Sequence, residues 1–501
     1  AASGDRSGTA SGSHQAARTH SIVRAVRAAR TGVAVTTSIA PSADVSPGST
    51  REGSDGAHGA GGAGSASGRA DAATASPRGA GAVGRRSLLL LTDAFPYEVG
   101  EEFLEQEIET LCAAYDEVVI VPMRLSQGAR QTRDLPANAR CALLPASRLA
   151  DWRLQALLRA PQILLGRERM VETPVWKSFG RFGMDVRFAA IALSAYGRMR
   201  RLLPSLGLEG TGHLTIYSYW FFTGAALGGM LRRRELKRRP VTVVSRAHAY
   251  DVDEADAPRG YIPSRAFVMR AVDRVYPISD YAASFLHRRF PEARNIEVRR
   301  LGVPPAPRHE RHRTEPFQLV SCSHMAPYKR VHLIVEAVAE LERRGRRVSW
   351  THIGENDADR LAAMRARAEE LIDSTPVTFT GHLTNREVRE LYAATDFACF
   401  LNCSDGEGVP VAVMEAQAAG MPVVATAAGG TGEIVHDGEN GRLVPVEVTA
   451  AQVADAVESV MDLSDAQYAD MSAQAHATWA RMSDAQRQYR EFVDGLVALE
   501  G

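Results

Sequence analysis

The side chains best placed by type and spacing to do chemistry lie in Ser404–Asp437, which reads SDGEGVPVAVMEAQAAGMPVVATAAGGTGEIVHD. Two carboxylates, Glu407 and Glu415, stand eight positions apart, with Gly408, Val409 and Pro410 just after the first. Carboxylates accept hydrogen bonds from the hydroxyls of a sugar or a ribose. The segment from Gly408 to Val411 opens a helix, and the exposed N–H groups and dipole of a helix start favour an anion. Further on, Ala428-Gly429-Gly430-Thr431-Gly432 is a loop that a phosphate-bearing ligand can approach closely, because glycine carries no side chain. Acids that suit hydroxyls, beside a helix start that suits phosphate, describe a nucleotide-sugar pocket. A cation joins them: Lys329 stands at a helix start after a strand, where its ammonium can neutralise phosphate as a point charge.

These side chains need a scaffold that brings them to one place. Pro410 suits the first position of a helix, Gly420 its end and Pro422 the exit, and Val423–Thr426 reads as a short buried strand. Upstream, Phe317–Ser321 is an apolar strand, followed by the loop His324-Met-Ala-Pro-Tyr-Lys329-Arg330 and a helix through Val331–Leu341. Ser349–Gly354, Val377–Thr380 and Asp396–Leu401 read as further strands, and Gly381-His382-Leu383 is the loop after the second of these.

The first half repeats the pattern. Ser87–Thr92 is a continuous apolar strand, as found inside a parallel sheet. Glu101–Tyr115 is a helix with Phe103, Leu104, Ile108 and Leu111 on one face, and Glu117–Pro122 is a second strand. Ligands of such sheets sit at the carboxyl ends of strands. Gly100, in the loop after the first strand, therefore either faces a ligand or makes a plain tight turn. His213–Ser218, Val241–Ser245, Asp273–Pro277 and Ile296–Val303 read as the remaining strands, with Ser279 capping a helix. After Val241–Ser245 comes Arg246-Ala-His-Ala-Tyr-Asp251. This puts His248 in a strand-end loop between a cation and an acid; a structural histidine is the competing reading.

Glu407-x7-Glu415, Gly429-Gly430 and Glu433 resemble the donor-site signature of retaining glycosyltransferases of family 4. The subgroup whose motif reads EG-x-PV-x-x-MEA, of the bacterial exopolysaccharide and colanic-acid type, is the nearer match. The resemblance is specific over Phe317–Val444, weaker over Ser87–Val303 and absent before Ser87. It implies an α/β chain with the GT-B fold: two Rossmann-like domains facing a central cleft. On that plan an N-terminal acceptor domain takes 87–303, a linker 304–316 and a donor-nucleotide-binding domain 317–485, and a final helix at 486–501 crosses back.

The resemblance also implies roles. Lys329 binds the donor diphosphate, Glu415 the ribose hydroxyls and Glu407 the transferred sugar. Gly381 and His382 meet the base through backbone groups, and Gly100 faces the phosphates. His248 lies near the transferred sugar, so the catalytic set is His248, Lys329 and Glu407. Gly408, Val409, Val411, Gly429 and Gly430 complete the donor site. The family usually places an Arg five residues before the Lys; here that position is His324. The second cation is then Arg330 or a protonated His324. Asp251-Val252-Asp253 falls in the acceptor half and reads as a solvated loop, so no metal site, no cofactor and no obligatory metal are expected.

Composition sets the outer limits. The chain has 501 residues, with 59 Lys and Arg balancing 59 Asp and Glu, so bulk charge makes no case for nucleic acid. Cys112, Cys141, Cys322, Cys399 and Cys403 are sparse and odd in number, which reads as reduced thiols in a cytoplasmic protein. Residues 1–86 are rich in Ala, Gly, Ser and Arg and nearly free of aromatics, which reads as a disordered leader, inert or a targeting signal. Within it, Arg18–Arg30 could form a basic helix. Arg148–Leu203 reads as several Arg- and Leu-rich helices, either a solvated face or a peripheral contact with the inner face of a membrane.

The expected partners are a nucleotide-sugar donor and a glycan or lipid-linked acceptor, and the expected enzyme is a hexosyltransferase-like glycosyltransferase of polysaccharide or glycoconjugate synthesis. Two other readings stay open: a different nucleotide-sugar enzyme, of epimerase or phosphorylase type, and a non-catalytic binding module on the same fold.

Overall fold

The computed structural model describes residues 85–98, 100–125, 128–147, 151–166, 168–208, 212–255, 257–307 and 313–500. The expected leader, with its Arg18–Arg30 helix, falls outside the described residues but for 85 and 86, as does the middle of the expected linker.

The described chain forms two six-stranded sheets, parallel throughout. In the first lobe the strands are β1 (Ser87–Thr92), β2 (Glu117–Pro122), β3 (Ala139–Cys141), β4 (Leu214–Ser218), β5 (Val241–Ala247) and β6 (Arg274–Pro277). Their order is β3-β2-β1-β4-β5-β6. The second lobe has β7 (Phe317–Cys322), β8 (Val348–Ile353), β9 (Val377–Phe379), β10 (Cys399–Asn402), β11 (Val423–Thr426) and β12 (Gly441–Val444), ordered β12-β11-β10-β7-β8-β9. Every residue of β1, β4 and β11 is buried, the signature of strands covered by helices on both faces. The expected pair of Rossmann-like halves is therefore the observed fold.

Two expectations need correction. The helix read over Glu101–Tyr115 begins at Leu104. Gly100 and Glu101 take positive φ values of 106° and 57°, and the Glu101 carboxylate turns back to accept the N–H groups of Asp93, Ala94 and Phe95. Ile296–Val303 is not a strand. It runs beside β6, Arg299 N–H bonding to Pro277 O, and makes only isolated bridges, at Ile296 and at Val303. Its end is claimed by the chain terminus: Val303 N–H donates to Ser483 O, and Ala485 N–H donates to Val303 O.

The last helix, Ala485–Ala498, packs on the first lobe beside the helix Leu104–Ala114. Phe492 lies 5.3 Å from the Tyr217 ring and 4.0 Å beneath the Arg246 guanidinium. Arg246 and Glu107 are fully buried and paired at 2.8 Å, and Tyr217 bonds to both. Burying such a pair is tolerated only because each polar atom finds a partner.

Candidate active site

β7 and β10 are sheet neighbours, so the loops at their carboxyl ends meet. After β7 the chain makes one tight turn, Pro327–Lys329, and Arg330 takes a φ of 46° before the helix Val331–Arg343. That turn sends the Lys329 ammonium 2.6 Å from Glu407 Oε1, on the loop after β10. Both side chains are mostly buried. Asp405 N–H donates to Tyr328 O at 2.8 Å, stitching the two loops together. The cation and the acid expected from the sequence share one place.

The glycine pair Gly429-Gly430 lies close against the backbone of the loop after β10. A Cβ on Gly429 would stand 1.7 Å from Glu407 O, and one on Gly430 2.3 Å from Gly408 O. Gly430 N–H donates to Gly408 O at 2.7 Å. The glycines let this loop press against the Glu407–Gly408 backbone and so fix the Glu407 carboxylate. Val409 packs against the same loop, and Val411 begins the helix Val411–Ala418, whose first N–H groups have no partner within the helix.

Glu415 sits inside that helix and is buried. Burial pushes its carboxyl up to about 7, with Arg389, 3.6 Å away, pulling the other way. Cys322, at the end of β7, is raised by burial to about 12; the Glu415 charge raises it and the Lys329 charge lowers it. Glu415 and Lys329 therefore flank one strand end. Gly381 and His382 lie on the neighbouring loop, tied to the β8 end by Gly354 N–H donating to Gly381 O at 3.0 Å.

The two candidates for a second cation part company. Arg330 donates to the carbonyls of Cys403, Val446 and Ser404, so its guanidinium braces the loop instead of facing a phosphate. That corrects its expected role. His324 is exposed and makes no ion pair with a described residue.

His248, after β5, comes from the opposite lobe. Its neighbour Ala249 is the atom group a Cβ on Gly408 would meet, at 3.4 Å, so His248 and Glu407 border one gap. The imidazole is tilted against two rings, its centroid 4.4 Å from that of Trp220 and 4.9 Å from that of Tyr219, and neither ring nitrogen has a hydrogen-bond partner among the described residues, although Asp251 Oδ2 is 3.8 Å from Nδ1. Trp220 Nε1–H donates to Glu101 Oε1 at 2.8 Å. Sequence reasoning passed over Tyr219 and Trp220; the aromatic pair just beyond β4 was the available signal, whereas Glu101 was read beside Gly100 at the ligand end of the sheet. Gly100 has open space around it.

Asp251-Val252-Asp253 is buried, not solvated. Asp251 accepts the N–H groups of His248 and Phe221, and Asp253 accepts Ala255 N–H. No cluster of three metal-ligating side chains occurs among the described residues. Glu433, expected in the second lobe's site, instead reaches across: it accepts Asp280 N–H and Tyr281 N–H at 3.0 and 2.7 Å and pairs with Arg300. An acid at a helix start is favoured by the dipole, so this contact clips the lobes together.

The family described as glycosyl transferases group 1 matches residues 304–478. The putative colanic acid biosynthesis glycosyltransferase WcaL of Escherichia coli (strain K12) is 28% identical over 205 residues, 40% of this chain and 50% of that protein. The chain thus spans about half the length of such curated relatives. Sucrose-phosphate synthase from Thermosynechococcus elongatus superposes with a TM-score of 0.60 at 17% identity, over 83% of this chain and 99% of that one. Anabaena HepE, solved with UDP and glucose, superposes at 0.54 and 15% identity, over 82% and 99%. These likenesses establish the GT-B fold. Residues 304–478 of this chain match the domain described as glycosyl transferases group 1.

Proposed function

We propose that the protein transfers a sugar from a nucleoside-diphosphate donor to a hydroxyl of a glycan or lipid-linked glycan, with retention of anomeric configuration. The observation that carries this reading is the Lys329–Glu407 pair, set beside Gly408 and facing His248 across the lobes. Lys329 and the N–H groups opening Val411–Ala418 stabilise the departing diphosphate in a partly dry cleft, where such charges act strongly. Glu407 holds the transferred sugar, Glu415 the ribose hydroxyls, and His248 borders the reacting carbon. Attack comes from the face the diphosphate leaves, through an ion-pair-like state. Charge neutralisation falls to these groups, and no obligatory metal takes part.

The test is a panel of nucleotide-sugars with mass detection of released nucleotide, with and without EDTA, followed by addition of acceptor glycans. Release with inverted product, or loss of turnover in EDTA, would overturn the corresponding part. A binding module would release nothing, and an epimerase would return an isomerised donor.

The same reading puts the protein on the inner face of a membrane. No helix among the described residues is long and apolar enough to cross one. The helices Trp152–Leu158 and Ala160–Leu165, and the approach to Phe179–Leu202, instead expose Leu165, Trp176 and Phe179 at 85, 82 and 80%. Arg153, Arg169, Lys177, Arg181 and Arg187 are exposed on the same segments and form no ion pair with a described carboxylate, although Arg153 and Arg187 lie over Trp152 and Arg181 over Tyr261. Exposed apolar side chains on segments rich in exposed cations suit an anionic bilayer surface. Co-sedimentation with phosphatidylglycerol vesicles, and not with phosphatidylcholine vesicles, is the expected result. The described cysteines are all free thiols, in keeping with a cytoplasmic setting.

A further inference from the structure

Beside Val252, at the end of the short helix Ala249–Val252, the first lobe holds a half-enclosed cavity of about 200 Å³ that the transfer reaction has not used. Its apolar wall is Val252, Ile262, Phe285 and Leu286; its polar wall is Arg265, Arg288, Arg289 and Glu254. Three cations thus face one acid, and that acid is 3.8 Å from Arg289.

Arg265 is the telling member. It is 3% exposed, held between the rings of Phe221 and Phe222, and its two terminal nitrogens donate to Phe221 O and Asp251 O. Its Nε–H is buried and has no acceptor among the described residues. A buried donor left unpaired costs about 1–3 kcal/mol, more when charged, so Arg265 is held in the cavity wall at a cost. Burial lowers the Arg265 guanidinium to about 10, which leaves it charged at neutral pH. Among the described residues the carboxylates that bear on it are Asp251, Glu172 and Glu254, and the first two are already engaged with backbone N–H groups.

The cavity is wired to the reaction gap. Asp251, whose carbonyl receives Arg265, uses its carboxylate to hold His248 N–H. The helix Asp280–Arg289, which carries Phe285, Arg288 and Arg289, is the one that Glu433 clips at its start.

We propose that this cavity is an acceptor subsite for an anionic group, a carboxylate or a phosphate, borne on the acceptor beyond the hydroxyl that receives the sugar. The proposal rests on the transferase reading. The apolar wall accommodates either the face of a sugar ring or the first carbons of a lipid chain, and the guanidinium groups recognise the charge. An acidic sugar and a lipid phosphate share this chemistry, and the experiment separates them.

Calorimetric titration of the full chain with methyl glucuronide and with geranyl phosphate, each against its neutral counterpart (methyl glucoside, geraniol), tests it without any turnover. One anion is expected to bind about tenfold or more tightly than its neutral partner, and the identity of that anion names the source. Arg265→Lys, and separately the surface pair Arg288→Gln with Arg289→Gln, are expected to abolish the preference. Should Arg265→Lys fail to fold, the surface pair decides alone. Equal binding of charged and neutral probes, or a preference that survives the surface pair, overturns the proposal. Nucleotide release by the unmodified protein tests the transferase reading separately, so either can fail without the other.

Discussion

The Lys329 ammonium lies 2.6 Å from Glu407 Oε1 although 78 residues separate them along the chain. Each is the other's nearest opposite charge, and both stand at the mouth of the gap that His248 borders from the other lobe. Lys329→Ala and Glu407→Ala are each expected to lower turnover by about 10²–10³-fold, the loss typical of removing one preorganised transition-state contact. Circular dichroism and thermal melting should show both variants folded. Wild-type turnover in either removes the site assignment.

Gly429 is the position where a single methyl group should disable the site. The new Cβ would stand 1.7 Å from Glu407 O, and the backbone φ of 54° is strained for any other residue. Gly429→Ala is expected to cost about 1–3 kcal/mol of stability and to displace Glu407, lowering turnover with it. Gly406→Ala, two residues from the same tip and with open space around it, serves as the control and should change neither. Denaturant melts and nucleotide release measure the two effects.

Glu415 gives the protein a pH signature. Its carboxyl is raised from 4.5 to about 7, chiefly by burial. Between those values the folded protein keeps a proton that the unfolded chain has lost, so folding stability falls as pH rises through this window. The contribution is whole below pH 4.5 and gone above about 7. Glu415→Gln is expected to remove this slope, on the order of 3 kcal/mol across the window. Urea unfolding of both proteins over that range checks it; parallel profiles would reject the assignment.

The Glu107–Arg246 pair under the last helix predicts an asymmetric response. Glu107→Ala leaves a buried guanidinium unpaired and is expected to cost about 3–5 kcal/mol. Replacing both, as Glu107→Leu with Arg246→Met, should be much milder, because no charge then remains buried. A double variant as unstable as the single one would show that Tyr217 or Phe492, not the charge, dominates there.

Much of the second lobe could be read in advance because its signals are local. The apolar run Val423–Thr426 between Pro422 and the glycine loop became β11 to the residue. Pro410, expected as the first residue of its helix, stands one place earlier, as the residue that precedes it. Ile296–Val303 misled for the opposite reason. It has strand-like residues, but its end is taken by backbone groups from Ser483 and Ala485, far along the chain. Arg330 misled likewise: a cation beside Lys329 looked available for phosphate, and three carbonyls from distant loops had already claimed it.

Spacing and residue type alone were enough to name Lys329, Glu407 and Glu415 and to divide the chain into two α/β halves, since hydrophobic runs and helix punctuation act over a few neighbours. They could not say that β7 lies against β10, that Gly429 packs against the Glu407 carbonyl, or that Glu433 grips the other lobe. Those facts depend on which strand ends become neighbours once both sheets are packed. That choice is made by burial summed over whole lobes, and no short stretch of residues carries it.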